Sequence, residues 1–266
     1  MGGRYMELPP LTLSAGGIGS VDRSQLSRLL GGLGADLTNY IDAEKLQGSP
    51  PYGLNRIGGT PVFAGAPSIQ VVESDPAFNG HSVIQFTNTG GVLRFGEGTV
   101  TASYTVIMVF SLPAGRMDDG VSAYLLNTYG QTYGEETRIY WTPNSGGGIA
   151  FQPEVDTAMS ANLSVGSVVA DTPLIMAFSI ANGGAAQQFK NSAAGSPLTN
   201  TTPSDYPEAH ADMSWFLGNL YSASGTAGSQ GKFAEVITIG RAMHVGTDKD
   251  LLEAIMAQLR IKYAIS

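Results

Sequence analysis

Lys232-Phe233-Ala234-Glu235-Val236-Ile237-Thr238-Ile239 is followed, after Gly240 to Thr247, by Asp248-Lys249-Asp250-Leu251-Leu252-Glu253-Ala254-Ile255, and this change of period sets the fold class. The first stretch is rich in β-branched and aromatic residues, the composition of a strand. In the second, Leu251, Leu252, Ile255, Leu259 and Tyr263 recur at the spacing of one helix face. Thr247 with Asp250 three residues on makes a weak capping box at its start. A run of strands that closes on one amphipathic helix is the layout of a sandwich with a helix laid against it.

Outward from there the chain keeps the strand pattern. Tyr104 to Leu112 is apolar on both faces, which predicts a central strand covered on both sides. Leu174, Met176, Phe178 and Ile180 alternate with Ile175, Ala177, Ser179 and Ala181, giving a strand with one heavier face. Ile69 to Glu73, His81 to Thr87 and Gly91 to Phe95 are short strands set apart by Asp-Pro, Asn-Gly and Gly-Gly turns. Ala185 to Asn191 and Met213 to Leu220 continue the series. The expected fold is all-β, a two-sheet antiparallel jelly-roll sandwich over residues 36–266 with a terminal helix.

Residues 1–35 read differently. Leu8-Pro9-Pro10-Leu11 is stiff and extended, Ala15 to Gly19 is Gly-rich, and Ser20 or Asp22 caps a short helix ended by Gly31, Gly32 and Gly34. Leu26, Leu29, Leu30 and Leu33 form one apolar stripe on it. An exposed stripe needs cover, so this segment is read as an assembly arm that docks on a partner or a sister subunit.

Composition narrows the function. Charged residues are 14% of the 266, against roughly one quarter in typical soluble domains. With 35 glycines, that mix suits short strands and many turns. A net charge of −8 without any dense Lys/Arg run argues against a nucleic-acid partner. The absence of cysteine excludes disulfides, thiolate nucleophiles and Cys-ligated metals. The opening residues lack a basic region followed by an apolar stretch, so no secretory signal is expected. Val106 to Phe110, the densest apolar run, is far too short for membrane insertion.

Phe233 to Met243 followed by Leu251 to Ile265 resembles the closing strand and helix of bacterial and phage laminin G-like domains, members of the concanavalin A-like superfamily. Phe78-Asn79-Gly80 to Phe86, Thr105 to Phe110, and Pro173 to Asn191 resemble three further segments of that family, in register over roughly residues 40–266. The family's Trp-x-Asp segment has no counterpart in Arg56 to Val62. The resemblance implies a sandwich whose loops or concave face bind glycans. It also implies a setting: similar chains with a short arm occur among phage virion proteins. A virion structural protein of the head or tail, made in the host cytoplasm and partnered by sister subunits and other virion proteins, is therefore the leading expectation. A bacterial carbohydrate-binding module is the alternative, and a glycoside hydrolase of the same fold is the third reading.

Hydrolysis requires two carboxyl groups flanking the sugar bond. Glu154-Val155-Asp156 is the only alternating acid pair on an apparent strand, and no third acid follows among Thr157, Ala158 and Met159. No catalytic residue is therefore expected, and Glu235 is read as a structural carboxylate near the terminal helix. His81, His210 and His244 show no ligand spacing. Asp118 and Asp119 are the candidate metal ligands, for calcium, with Asp205, Asp212, Asn144 and Asn219 as companions from other loops; no other cofactor is implied. Tyr124 to Trp141 is unusually aromatic. Within it Tyr129, Tyr133 and Trp141, with the amides Asn127 and Gln131, form the candidate ligand surface, since rings stack on sugars while amides read hydroxyls. The same rings could equally fill the core of a hairpin.

Overall fold

The computed structural model describes residues 23–49, 51–53, 56–57, 61–64, 68–130, 134–143, 147–152, 163–166, 168–200, 212–219 and 227–266. Two antiparallel sheets make the sandwich. The first has eight strands. Across it run β15 (Leu198–Asn200), β14 (Ala186–Lys190), β13 (Leu174–Ile180), β8 (Tyr104–Ser111), β17 (Lys232–Ile239), β6 (His81–Phe86) and β5 (Ile69–Asp75), and β1 (Leu37–Asp42) also pairs with β17. The second has seven, in the order β12 (Leu163–Gly166), β11 (Gly148–Gln152), β10 (Gly134–Thr142), β9 (Ala123–Gly130), β16 (Ser214–Leu217), β7 (Val92–Phe95) and β4 (Val62–Ala64). A small ribbon pairs β2 (Leu46–Gln47) with β3 (Tyr52–Gly53).

Alternation along the strands explains the two cores. Val106, Met108 and Phe110 of β8 and Met176 and Phe178 of β13 face inward, meeting Leu93, Ile139, Phe151 and Trp215 of the second sheet. The intervening Ile107, Val109, Ile175 and Ala177 point the other way, into a second apolar cluster. The expectation for β8 agrees with this, since a strand apolar on both faces is covered on both; β13, expected to have one heavier face, is also covered on both.

The second cover is helical. α3 (Asp248–Tyr263) lays Leu252, Ile255, Met256, Leu259 and Tyr263 on the outer face of the first sheet. Its last turn closes on Ala264 in the left-handed conformation, whose N–H donates to the carbonyls of Arg260 and Ile261. Thr247 makes no side-chain cap, so the expected capping box does not form; the acids Asp248 and Asp250 still complement the helix dipole.

The arm corrects an expectation. α1 (Arg23–Gly31) packs on this same layer beside α3. Leu26, Leu30 and the following Leu33 are buried in the second cluster, and Leu29 packs partly buried against it. The stripe is thus covered by its own chain. A sheet apolar on both faces offers the nearest apolar surface, and α1 completes the cover that α3 begins.

Candidate functional site

The two sheets differ on their outer faces. The first is roofed by α1 and α3, whereas no described helix packs over the second. Which residues occupy that second face follows from register. Trp215 and Leu217 of β16 point into the core, so Ser214 and Phe216 point out. Phe216 pairs with Arg94 on one side and Asn127 on the other, and Asn127 pairs with Arg138, which pairs with Gln152. One row therefore crosses five strands as Arg94, Phe216, Asn127, Arg138 and Gln152.

Around Phe216 the row becomes a patch. The Tyr129 ring stands edge-on to Phe216 with centroids 6.3 Å apart. Ser214 is the register partner of Tyr129, and its hydroxyl accepts from Arg94 Nε at 3.0 Å. The second nitrogen of that guanidinium, Nη2, donates to Glu97 at 2.7 Å.

Asn127 is the unusual member. It is 0% exposed, and neither its amide nitrogen nor its oxygen has a hydrogen-bond partner. Burying such a group unpaired costs about 1–3 kcal/mol, and native structures carry few of them. It shares the outer face with Tyr129, two residues along β9, and with Phe216, its register partner on β16.

A second aromatic pair lies further along the same face. Tyr124 and Tyr140 are register partners with centroids 5.7 Å apart. Burial, the neighbouring Tyr124 and, in the opposite sense, Arg138 act on Tyr140, and the result holds its phenol above the ordinary value. A register shift between Ile139 and Tyr140 brings this pair onto the outer face.

The structure divides the residues expected to bind ligand. Tyr129 lies half-buried on the outer face, and Asn127 lies fully buried on the same face. Gln131 and Tyr133 fall outside the described residues. Trp141 is 2% exposed and belongs to the core between the sheets, which removes it from the ligand surface. Its position on β10 is one residue out of phase with Tyr140, and phase alone sends it inward. The sequence reading passed over Arg94, Ser214 and Phe216. Phe216 sits within an apolar run that shows no preferred face, and Arg94 is brought to it only by long-range pairing.

Of the candidate calcium ligands, Asp119 has partners within the protein. Arg116, in the short helix α2 (Ala114–Met117), is almost fully buried and forms an ion pair with Asp119 Oδ2. Its Nε and Nη2 donate to the carbonyls of Gly228 and Ser122, each at 2.7 Å. Asp119 Oδ1 accepts from the Val121 N–H at 2.8 Å. Asp119 is thus committed to a guanidinium, whose charge opposes a cation. Asn219 Nδ2 donates to the Thr89 carbonyl at 2.6 Å. Among the described residues no group of three His, Asp or Glu side chains converges as a metal site; Asp205 and Asn144 lie outside them.

Glu154 and Asp156 lie outside the described residues too. Glu235 is buried and bonded to Lys262, Tyr263 and Tyr40, the structural role expected for it. Ser179 and His244 meet at 2.8 Å, but Ser179 is 0% exposed and also accepts from the Met243 N–H at 3.0 Å. Burial lowers the His244 pKa. The pair ties the loop after β17 to β13.

No protein-family model and no curated protein matches the chain. Solved structures do match in fold. Trypanosoma rangeli sialidase in complex with sialic acid superposes with a TM-score of 0.58 at 13% identity, over 85% of this chain and 34% of the sialidase. The chain therefore spans about one third of that protein. Domain 4 of an extracellular arabinanase from Geobacillus stearothermophilus, in complex with arabinotriose, matches with a TM-score of 0.54 at 16% identity, over 81% of this chain and 98% of the domain. A mutant of HCR/D matches with a TM-score of 0.57 at 8% identity, over 85% of this chain and 52% of that one. At these identities the shared property is the fold, an antiparallel β-sandwich.

Proposed function

We propose that the protein is a glycan-binding sandwich without catalytic activity, and that its ligand lies on the outer face of the seven-stranded sheet. One observation carries the reading: the patch of Tyr129, Phe216 and Arg94 adjoins, on the same sheet face, the buried Asn127 amide that has no partner among the described residues. Rings and a hydroxyl-reading amide on a rigid sheet are what a sugar ring needs. The arabinanase domain, matched over nearly its whole length and seen with arabinotriose, supports a binding role for such a sandwich. A glycan array probed with wild type and Tyr129→Ala tests this. Binding lost in the variant, with a cooperative melt and a stability lowered by only about 1 kcal/mol, is the expected result, and absence of binding by wild type overturns it.

The finer setting is a virion structural protein of a phage. The likeness of residues 233–265 to phage laminin G-like domains supports it, while α1, folded onto its own sandwich, lends it no assembly arm. Mass spectrometry of purified parent particles is the test. A bacterial carbohydrate-binding module is the reading that remains if the chain is absent from them.

A further inference from the structure

The outer-face patch holds a group that a neutral sugar does not require. Arg94 Nε is fixed by Ser214 Oγ at 3.0 Å, which sets the guanidinium beside the register position of Tyr129. Its Nη2 already carries a carboxylate, that of Glu97 three residues along, at 2.7 Å. The two side chains are 43% and 67% exposed, and an exposed pair of this kind is weak and screened by salt. Nη1 has no hydrogen-bond partner among the described residues. The guanidinium is therefore pre-oriented, half open to solvent, and occupied by a carboxylate that leaves readily.

We infer that this patch takes a carboxylate-bearing sugar, its acid group replacing Glu97 on Arg94 and its ring lying against Tyr129. The inference rests on the proposal that this face binds glycans, and it names the ligand class. Arginine matches a carboxylate with two parallel N–H donors, which adds direction as well as charge. A hydroxyl of the same sugar meets the Asn127 amide once Phe216 or Tyr129 turns, giving that buried group its missing partner. General attraction to polyanions does not compete with this reading, since the chain carries a net charge of −8.

The test is calorimetric titration of the full chain with sialyllactose and an oligogalacturonide, against lactose and a neutral oligogalactan. Wild type is expected to favour the acidic sugars by about tenfold or more, the worth of one charge-assisted contact. Arg94→Gln abolishes that preference and leaves the melt unchanged. Glu97→Gln, at an exposed position, strengthens acidic binding by removing the competitor. Equal or better binding of neutral sugars by wild type, or a preference that survives Arg94→Gln, overturns the inference and leaves glycan binding standing. No binding of any saccharide overturns both.

Discussion

Lys262 of the terminal helix directs its ammonium at Oε1 of Glu235 on the last strand, and both side chains are buried. Tyr263 donates to the same oxygen at 2.9 Å and Tyr40 to the other at 3.0 Å. Asp42 and Glu44 approach the same ammonium at 4.0 Å. Burial pushes the Glu235 carboxyl up, while the Lys262 charge pulls it back down. The cluster locks α3 to β17 and β1 with buried charge set into the second apolar layer.

Lys262→Met is therefore expected to destabilise by roughly 3–5 kcal/mol, because it strands a carboxylate in the interior. The double change Glu235→Gln with Lys262→Met is expected to recover part of that loss. Urea unfolding midpoints of the three proteins check it; a single variant as stable as wild type refutes it.

Alkaline pH attacks the same cluster. Burial first, then the Glu235 and Asp42 charges, raises the phenols of Tyr40 and Tyr263 well above the ordinary 10.0. The folded state keeps these protons while the unfolded state gives them up. Their stabilisation is thus complete below pH 10 and is lost as pH rises above it, by about 1.4 kcal/mol per pH unit for each phenol. Tyr40→Phe and Tyr263→Phe should flatten the decline in Tm between pH 10 and 11, and an unaltered slope in both refutes the assignment.

α1 makes a stability prediction where its sequence suggested assembly. Leu26→Ala and Leu30→Ala are each expected to cost about 2–5 kcal/mol, the range for emptying a buried leucine site. Thermal melts with sedimentation on the same samples discriminate the two roles. Loss of an oligomer with an intact melt would return the stripe to an intermolecular role.

Trp141 and Tyr129 should separate cleanly. Trp141→Ala opens the core between the sheets and is expected to cost about 3–5 kcal/mol. Tyr129→Ala removes a half-buried ring from the outer face and should cost about 1 kcal/mol. Equal losses in denaturant unfolding would place Tyr129 in the core.

The sequence made the two-faced strand β8, the terminal helix and the structural role of Glu235 legible, because each rests on local periodicity or on one neighbouring element. Val106 to Phe110 is apolar throughout, and no partner strand is needed to see that both its faces are covered; Leu174 to Ile180, with Ser179 in it, reads only as having one heavier face. The site was only half legible. Tyr129 and Asn127 stand out in the aromatic stretch, but their neighbour Phe216 lies 87 residues beyond Tyr129 and meets it through pairing of β16 with β9. Trp141 shows the limit most plainly. Alternation separates it from Tyr140 and is silent on which of the two faces solvent.

The last carbonyl of the chain, that of Ser266, accepts from Asn191 Nδ2 at 2.9 Å, and Arg260 donates to the Asn191 carbonyl at 2.7 Å. The carboxyl end is thereby held on the helical side. Two sheets and one helical layer, about 20 Å of packed protein, separate it from Tyr129. A sensor chip or bead coupled through Ser266 would thus display the tyrosine face toward the flowing sample. Coupling through side chains of that face would blind it.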